Sequence, residues 1–415
     1  MTSAMKDSGI EWIGQIPEHW DIKRNKYNFE LGKDIVGTKS SKMQLLSLTK
    51  YGIKAINEDE QSGKVPTSFN TYQQVHINDL VMCLFDLDVS AVFSGLSAYE
   101  GMISPAYKCF KCKNHIYPKY VDYYFKTVFV DRKYKKYSKN VRFSINADEF
   151  MALPIVVPPQ AEQQKIADYL DKKCGKIDAI TAEIQEQINT LEEYKKSIIS
   201  EAVTKGLDNR DNLVKSRVFY MSPYNENWKL SKIGYECTKL NRAFSTDDIP
   251  LLCTNKGEVS NRPEKMTGKM VSEDNAVQGI HEGDIAIHGM DTWHGAIAIS
   301  PYKGKITRVV HVCDSKQDNR FVVYYLKYLA YQRVYKLISN GIRENTSDFR
   351  SWEKVKDIYI TFPNIEEQKR ICDYLDVKKS AINDIITDKQ KQIETLEEYK
   401  KTLIYEYVTG KKEVA

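Results

Sequence analysis

The chain has 415 residues, of which 42% are hydrophobic and 28% charged, and its formal net charge is +5. This composition is typical of a soluble globular protein with room for two or three domains, and it excludes collagen-like and broadly disordered chains. No apolar run is long enough to span a membrane, and the N-terminus lacks the basic-then-apolar order of a signal peptide. We therefore expect a cytoplasmic protein without membrane contact.

The N-terminal part of the chain predicts short strands followed by a helix. Residues 45–48 and 80–84 are apolar runs of strand length near turn-forming residues, and residues 121–136 carry aromatic side chains at helical spacing. The same order returns later in the chain, with strand patterns at 285–287 and 296–299 and a helical pattern at 322–336. Each of these two stretches is predicted to be an α/β domain, and the predicted fold class of the chain is α+β.

Two long helices are predicted after these stretches, at 158–205 and from 363 onwards. Both begin at proline, which is frequent in the first turn of a helix. Their apolar residues recur with a seven-residue period, as in the seam of a coiled coil. Neighbouring positions of the same seams are expected to be filled by Ile166, Ile180, Ile188 and Tyr194 in the first helix and by Ile371, Ile385, Ile393 and Tyr399 in the second. The seam residues are Leu170, Ile177, Ile184, Leu191, Ile198, Leu375, Ile382, Leu396 and Leu403.

The chain consists of two copies of one unit. Residues 158–205 align without a gap on 363–410, at a shift of 205, and about half of the aligned positions are identical. DYLD recurs at 168–171 and 373–376, and TLEEYKK at 190–196 and 395–401. We therefore expect each long helix to pair with the other copy, although each helix packing only on its own domain is an alternative. The predicted division is 1–157, 158–207, 208–362 and 363–415.

The positive charge is concentrated at the end of each α/β stretch. Residues 119–142 contain eight basic and two acidic residues, and residues 320–343 contain five basic and none acidic. Each window also contains five tyrosines. Fixed positive charge with planar donors beside it suits contact with the phosphates of nucleic acid. The alternative is a solvated helix face whose tyrosines belong to the core.

Loops that follow strands are good positions for reading bases, because a rigid sheet holds them in place. The loops at 85–90 and 289–294 occupy equivalent positions in the two copies, and Asp86 and Asp291 are retained between them. A turn-capping role explains these two aspartates equally well. The candidate DNA-binding residues are Thr49, Lys50, Tyr51, Asp86, Asp88, Ser90, Lys133, Lys136, Arg142, Thr254, Asn255, Lys256, Asp291, Thr292, Trp293, Arg333, Lys336, Arg343 and Asn345.

Motifs for catalysis and for metal binding are missing from the sequence. There is no Walker-type phosphate loop, no dinucleotide fingerprint, no serine hydrolase elbow and no HExxH zinc motif. Cys109 and Cys112 have the spacing of half a zinc site without a second pair, so we predict ordinary thiols and no metal. Glu367, Gln368 and Lys369 match the tail of a nuclease-like acidic motif but lie at a helix start, where a structural role is favoured. His288 and His294 flank Trp293 without a third ligand.

Several of these segments together resemble a known family. They are EWIGQIPEHW at 11–20, LPIVVPP at 153–159 with EQQKI at 162–166, GIREN at 341–345, and EEQKRI at 366–371. In combination they resemble the specificity subunit of type I restriction-modification systems, over almost the whole chain.

The resemblance implies a DNA-reading subunit without catalytic activity of its own. Two target-recognition domains would each read one half of a split site in double-stranded DNA, joined by two antiparallel coiled-coil helices. Two methyltransferase subunits, which carry the S-adenosylmethionine, would bind around this core, and motor-nuclease restriction subunits would join them. No cofactor is expected in this chain itself. The competing hypotheses are a coiled-coil adaptor without specific DNA reading and a nuclease centred near Glu367.

Overall fold

The computed structural model describes residues 4–50, 52–56, 68–90, 94–130, 132–138, 143–208, 212–262, 277–339 and 348–414. The chain divides into two compact units. Unit 1 comprises residues 1–184 and 391–415, and unit 2 comprises residues 185–390. Each of the two long helices, α4 (Gln160–Lys205) and α9 (Ile365–Val408), contributes one part to unit 1 and the other part to unit 2.

Unit 1 contains twelve described strands and three short helices besides its parts of α4 and α9. The strands are β1 (Met5–Asp7), β2 (Gln15–Pro17), β3 (Asp21–Arg24), β4 (Phe29–Leu31), β5 (Leu46–Thr49), β6 (Gly52–Ala55), β7 (Gln73–Val75), β8 (Leu80–Met82), β9 (Ser94–Leu96), β10 (Gly101–Ile103), β11 (Lys108–Cys112) and β12 (Pro154–Val157). The helices are α1 (Asn25–Asn28), α2 (Pro118–Val130) and α3 (Ala147–Ala152), with 3-10 helices at Gly37–Lys42 and Lys133–Tyr137.

The centre of unit 1 is an antiparallel four-stranded sheet in the order β4-β11-β8-β9. Successive side chains of a strand point to opposite faces of the sheet. Leu80 and Met82 of β8 therefore join one core cluster together with Tyr124 of α2. Val81 joins a second cluster together with Leu48 of the β5–β6 hairpin. The sheet is buried on both faces, which explains why β8 is a continuous apolar run rather than an alternating one.

Unit 2 repeats this topology with different residues. Its strands are β13 (Leu213–Val214), β14 (Tyr224–Asn225), β15 (Lys229–Lys232), β16 (Cys237–Lys239), β17 (Leu251–Cys253), β18 (Val259–Asn261), β19 (Val277–Ile280), β20 (Ile285–His288), β21 (Ile297–Ile299), β22 (Gly304–Thr307), β23 (Val310–Ser315) and β24 (Tyr359–Phe362). Its helices are α5 (Ile233–Glu236), α6 (Asn319–Tyr331), α7 (Val334–Leu337) and α8 (Trp352–Lys356), with a 3-10 helix at Thr292–His294.

The four-stranded sheet of unit 2 has the order β16-β23-β20-β21, which matches the sheet of unit 1 strand for strand. The smaller pairs match as well, since β17–β18 corresponds to β5–β6, β19–β22 to β7–β10, and β15–β24 to β3–β12. The predicted α+β class and the internal repeat are thereby confirmed. Among the described helices, none is both long and apolar enough to cross a membrane.

The two long helices run antiparallel in each unit. In unit 1 the ammonium of Lys400 on α9 lies 2.6 Å from a carboxylate oxygen of Asp178 on α4, and the rings of Tyr169 and Tyr407 are 4.6 Å apart. In unit 2 the ammonium of Lys195 on α4 donates to the side-chain oxygen of Asn383 on α9 at 3.0 Å, and the ammonium of Lys389 on α9 donates to the side-chain oxygen of Gln187 on α4. Residues nearer the N-terminus of α4 thus contact residues nearer the C-terminus of α9.

Most of the predicted seam residues are buried, but some of their neighbours are not. Among the seam residues, Leu191 and Leu396 are half-buried and the rest are buried. The prediction that Ile180, Tyr194, Ile385 and Tyr399 fill the seam was wrong, because these four side chains are 47%, 51%, 46% and 55% exposed. A seam between two helices is narrow, so positions beside the heptad stripe stay in contact with solvent.

A buried glutamine joins each long helix to the α/β part of its unit. In unit 1 the side-chain oxygen of Gln163 accepts from the backbone N–H of Tyr117 at 2.7 Å, next to the start of α2. Its amide nitrogen donates to the carbonyl oxygens of His115 and Pro158. Gln368 of unit 2 repeats this pattern, accepting from the N–H of Asp318 and donating to the carbonyl of Pro363. The retained glutamine of the EQQK and EEQK segments is therefore a structural joint.

Candidate nucleic-acid interface

The loop after β8 and the basic 3-10 helix of unit 1 lie together. Arg132 begins this helix, and its guanidinium donates to the carbonyl oxygens of Leu87 at 3.2 Å and Ser90 at 3.1 Å. The backbone N–H of Leu87 donates to the carbonyl of Phe143, and the ammonium of Lys135 lies 4.4 Å from the centre of the Phe143 ring. Two of the predicted DNA-contacting segments, the 85–90 loop and the basic window, thus form one surface.

The equivalent segments of unit 2 also converge. The ammonium of Lys336 on α7 lies 4.3 Å from the centre of the Trp293 ring, in the loop after β20. The backbone N–H of Phe349 donates to the carbonyl of Gly289 at 3.0 Å, so the segment that follows α7 also lies against this loop. A cation over an indole ring is held by the negative face of the ring. The arrangement places an aromatic plane and a positive charge side by side.

An arginine in a left-handed backbone conformation occurs at the same place in both units. Arg132 has φ +52° and Arg333 has φ +56°, and each lies in the turn after the helix that covers the sheet. Such a conformation is unfavourable for a residue with a side chain, and it persists where the surrounding structure requires it. The two side chains have different surroundings. Arg132 donates hydrogen bonds to the loop after β8, whereas Arg333 is exposed.

The candidate residues Thr49, Lys50, Thr254, Asn255 and Lys256 lie at the turns of two hairpins. The hydroxyl of Thr49 donates to the carbonyl of Gly52 at 2.8 Å, and Lys50 is exposed beside it. In unit 2 the turn after β17 begins at Thr254, and the side chains of Asn255 and Lys256 are exposed. Amide and ammonium groups on an exposed turn are suited to base edges and phosphates.

The turn after β17 rests on a buried lysine. The ammonium of Lys327 on α6 donates to the carbonyl of Gly257 at 2.9 Å, and this side chain is only 8% exposed. Burial, followed by the positive charges of Lys379 and Lys195, lowers the pKa of Lys327 from 10.5 to about 8. Lys327 therefore supports the hairpin turn from inside the unit, a role that its place in a basic window of the sequence does not reveal.

The depressed pKa of Lys327 predicts that unit 2 becomes more stable as the pH rises above neutrality. The unfolded chain keeps its proton up to its ordinary pKa of 10.5, while the folded protein loses it near 8, so the energetic cost of burying the charge disappears across that window. Between pH 7 and pH 9, the wild type should gain about 1 kcal/mol in free energy of unfolding relative to Lys327→Met. Urea unfolding of both proteins at the two pH values measures this difference, and equal slopes with pH would contradict it.

The tyrosines of the basic windows do not stand beside the charges as donors, which corrects the prediction. Most of their rings lie in the core, and only Tyr137 and Tyr331 are half-buried. The fully buried members include Tyr120, Tyr124, Tyr325, Tyr328 and Tyr335. They pack there because α2 and α6 cover the sheet with their aromatic face. The alternative interpretation, tyrosines in the core, is confirmed.

Some of the basic side chains bind carboxylates of the long helices. In unit 1, Lys119 and the hydroxyl of Tyr123 both bind the carboxylate of Asp171 on α4, at 2.5 and 2.8 Å. In unit 2, Arg320 binds Asp376 on α9 at 2.9 Å. These contacts use the last aspartate of each DYLD segment, which explains its retention. The charge available for phosphate is thus smaller than the count of basic residues suggested.

Lys133 and Lys136 contact the N-terminal segment of the chain. The ammonium of Lys136 lies 2.6 Å from a carboxylate oxygen of Glu11, and that of Lys133 lies 5.7 Å from the centre of the Trp12 ring. The Lys136 hydrogen bond lowers the pKa of the Glu11 carboxyl. An exposed pair of this kind contributes little to stability, so Lys136 is able to exchange its partner for a phosphate.

Asp86 and Asp291, which both copies retain, lie in tight turns, but their side chains do not cap these turns. Asp86 has φ +51°, and its carbonyl accepts the N–H groups of Val89 and Ser90. The side chain of Asp291 makes no capping bond to the 3-10 helix that follows it but lies 3.2 Å from Nδ1 of His288. Burial lowers the pKa of His288.

The remaining predicted residues divide by exposure. Asp88, Ser90 and Trp293 are half-buried, whereas Thr292 is 1% exposed and supports its loop from the inside. The prediction that Thr292 contacts DNA is corrected on that ground, because a base edge cannot reach its side chain. Four predicted residues lie outside the described part of the chain, namely Tyr51, Arg142, Arg343 and Asn345.

The two cysteines with zinc-like spacing cannot act together on a metal ion. Cys109 and Cys112 both lie on β11, and three residues along a strand bring side chains to opposite faces. Cys109 accordingly belongs to the cluster under the hairpin, and Cys112 packs against the other cluster. Burial raises the pKa of each thiol to about 12. Within the described ranges, no three His, Cys, Asp or Glu side chains are grouped as metal ligands would be.

Comparison with known proteins places this fold in one family. The sequence model of the family described as "Type I restriction modification DNA specificity domain" matches residues 96–190 and 272–395, which is more than half of the chain. The two matched stretches fall in the two copies of the repeat. Each covers strands of the four-stranded sheet, the helix on it and part of a long helix.

Proteins of this type are similar over nearly the full length. A protein of Methanocaldococcus jannaschii, inferred to be the type I restriction enzyme MjaX specificity subunit, is 26% identical over 439 aligned positions, covering 96% of this chain and 95% of that one. A structure solved in work on complex assembly and conformational transition of the type I R-M system shares the fold with a TM-score of 0.65 at 13% identity, covering 95% and 98% of the two chains. The HsdS subunit from Thermoanaerobacter tengcongensis gives a TM-score of 0.47 at 12% identity, with the same coverage. The chain belongs to the type I restriction-modification DNA specificity family, as a specificity subunit.

Proposed function

We propose that each unit reads one half of a bipartite sequence in double-stranded DNA. The observation that carries this proposal is the repetition of one surface with different residues. In both units the turn of a hairpin, the loop after the third strand of the sheet and a basic turn follow the same topological order. Different side chains on a common frame give two unrelated half-sites. The recognition domains proposed here are residues 1–157 and 208–362, with helical segments at 158–207 and 363–415.

The chain acts in this proposal as a scaffold without chemistry of its own. Two methyltransferase subunits bind it and supply S-adenosylmethionine and the methyl transfer, and restriction subunits join them to cleave unmodified DNA. The chain's own contribution is to position these partners on a chosen sequence. Family membership supports this division of labour, since specificity subunits are generally non-catalytic.

The exposed apolar residues of the long helices support binding of two equal partners. In unit 1, Ile180 and Tyr399 lie at the same level of the helix pair, next to the Asp178–Lys400 contact. In unit 2, Ile385 and Tyr194 occupy the equivalent level, next to the Lys195–Asn383 contact. Exposed aromatic and aliphatic pairs of this kind are anchors for protein interfaces. Two copies of one surface suit two copies of one methyltransferase.

The experiment that tests the proposal is methylation mapping. The chain is co-expressed with its cognate methyltransferase in a host free of other adenine methylation, and the modified sequences are read by long-read sequencing. We expect one bipartite sequence with two unrelated halves separated by a fixed spacer. Failure to co-purify with the methyltransferase, or methylation without a bipartite pattern, would overturn the proposal.

A pair of variants locates the contact in unit 2. Arg333→Ala is expected to weaken binding of the mapped DNA by about tenfold and to leave urea unfolding unchanged, because its side chain is exposed. The matched control is Lys303→Ala, which removes the same charge from an exposed position at the other end of β21. Equal reductions of affinity in both variants would show a general charge effect rather than a contact at Arg333.

A further inference from the structure

Unit 2 contains a deep cleft that we call the unit 2 cleft. Its walls are the α4 segment 192–199, the hairpin turn 255–258, α6 and the α9 segment 379–387. Its volume of about 510 Å³ lies within the range of small-molecule sites. All of these segments belong to unit 2.

The unit 2 cleft has an excess of positive charge. Five lysines and two glutamates line it. One of the lysines is Lys327, whose ammonium is bound only by the Gly257 carbonyl among the described groups. Lys256 and Lys379 make no hydrogen bond or ion pair within the described part of the chain. One of the two acidic side chains, Glu192, is already paired with Lys195 at 2.8 Å.

The repeat supplies an internal comparison, because unit 1 has neutralised the equivalent positions. The counterpart of Lys327 is Lys126, which is paired at 2.7 Å with Asp122, while the residue four positions before Lys327 is Val323. Because Val323 replaces an aspartate, the buried lysine of unit 2 has no acidic partner at that position.

The helix pair of unit 2 also carries more positive charge than the helix pair of unit 1 at matching positions. The counterpart of Lys195 is Lys400, which pairs with Asp178 on the other long helix. Lys195 meets the uncharged Asn383 there, and its acidic partner is Glu192 of its own helix. The counterpart of Lys379 is Cys174, a buried thiol. Together with Val323, these exchanges give unit 2 three more positive charges than unit 1 at matching positions. The differences all affect one cleft rather than scattered surface positions.

A buried or half-buried cation without an acidic partner is unfavourable, and a bound anion relieves the cost. We propose that the unit 2 cleft is a phosphate-binding site, held by Lys327 and Lys379, with no counterpart in unit 1. Lys195 lies beside them, paired with Glu192 and donating to the uncharged Asn383. Exposed Lys256 and Asn255 at the rim provide further donors for phosphate oxygens.

Two sources share this chemistry, the backbone of bound DNA and a free phosphorylated compound such as a nucleotide. The hairpin turn and His294 of the loop proposed to read bases both line the cleft, so a phosphate of DNA bound there would lie close to the cleft. The site itself does not depend on the proposed DNA recognition, because inorganic phosphate and pyrophosphate probe it directly.

The test introduces the charge pattern of unit 1 into the unit 2 cleft. The double variant Lys379→Cys with Asn383→Asp carries the residues that the repeat has at these positions, which a related helix already accommodates. Isothermal titration of the full chain with pyrophosphate should show binding to the wild type and at least tenfold weaker binding to the variant. The matched control is Asp178→Asn in unit 1, which should leave pyrophosphate binding unchanged.

A second arm identifies the source of the phosphate. If DNA supplies it, the variant should bind a duplex more weakly, and the slope of log affinity against log salt should fall by about 1 for each DNA phosphate that the variant no longer binds. If a free compound supplies it, pyrophosphate binding alone should be affected. The proposal is overturned if the wild type binds neither probe more tightly than the variant does. Unfolding curves of the variant exclude a loss of structure as the cause.

Discussion

Gln163→Leu is expected to lower the free energy of unfolding of unit 1 by about 4 kcal/mol. The side chain of Gln163 is fully buried and satisfies three backbone groups, namely the N–H of Tyr117 and the carbonyls of His115 and Pro158. Leucine has a similar volume but no polar atom, so these groups would stay buried without a partner. Each group left in this way costs roughly 1–3 kcal/mol.

The neighbouring residue provides the control for this prediction. Gln164 is exposed on the same turn of α4, so Gln164→Leu should change stability by less than about 0.5 kcal/mol. Hydrogen exchange measured peptide by peptide separates the two units. Gln163→Leu should accelerate exchange in α2 and β12 while leaving α6 unaffected, and Gln368→Leu should do the reverse. If both variants are as stable as the wild type, the glutamines are not the joints described here.

Gly410→Ala is expected to lower the free energy of unfolding of unit 1 by about 3 kcal/mol. Gly410 follows the end of α9 with φ +70°, a conformation that disfavours any side chain. A Cβ atom at this position would also collide with Cδ of Pro17 and lie 3.1 Å from the Trp20 ring. Both residues belong to the N-terminal segment, which is packed against the end of α9, so neither has room to move.

Gly14 provides a control that separates the cost of backbone strain from the cost of a steric clash. Gly14, also in unit 1, has φ +68°, but an added Cβ would meet nothing within 4 Å. Gly14→Ala should therefore cost only the backbone strain, about 1 kcal/mol. Urea unfolding of both variants gives the comparison. Equal destabilisation would mean that the contact with Pro17 adjusts freely and that the end of α9 is not tightly held.

The repeat and the secondary structure could be predicted well because their signals are local. The heptads of 158–205 and the gapless alignment on 363–410 need only the order of residues, and the structure has continuous helices at Gln160–Lys205 and Ile365–Val408. The strand patterns at 80–84 and 285–287 were likewise confirmed as β8 and β20. Helical and strand periods are set by the backbone itself, so they are visible in a sequence.

The candidate site was predicted less completely, because a residue's partners are distant in sequence. Lys327 and Arg333 lie in one basic window, yet one is buried against a hairpin 70 residues earlier and the other is exposed. Lys119 and Arg320 proved to dock α2 and α6 on the long helices rather than face a ligand. Counts of charge along a window cannot distinguish these uses.

The sequence by itself determined that this protein is a duplicated α+β chain with two long heptad helices and with basic windows. Self-similarity, periodicity and composition depend on nothing outside the chain segment that carries them. Only the tertiary structure decided which retained residues join a long helix to its α/β part and which basic side chains have no acidic partner. Asp171, Gln163 and Lys327 acquire their roles from groups far along the chain, since burial and hydrogen bonding exist only once the elements have packed.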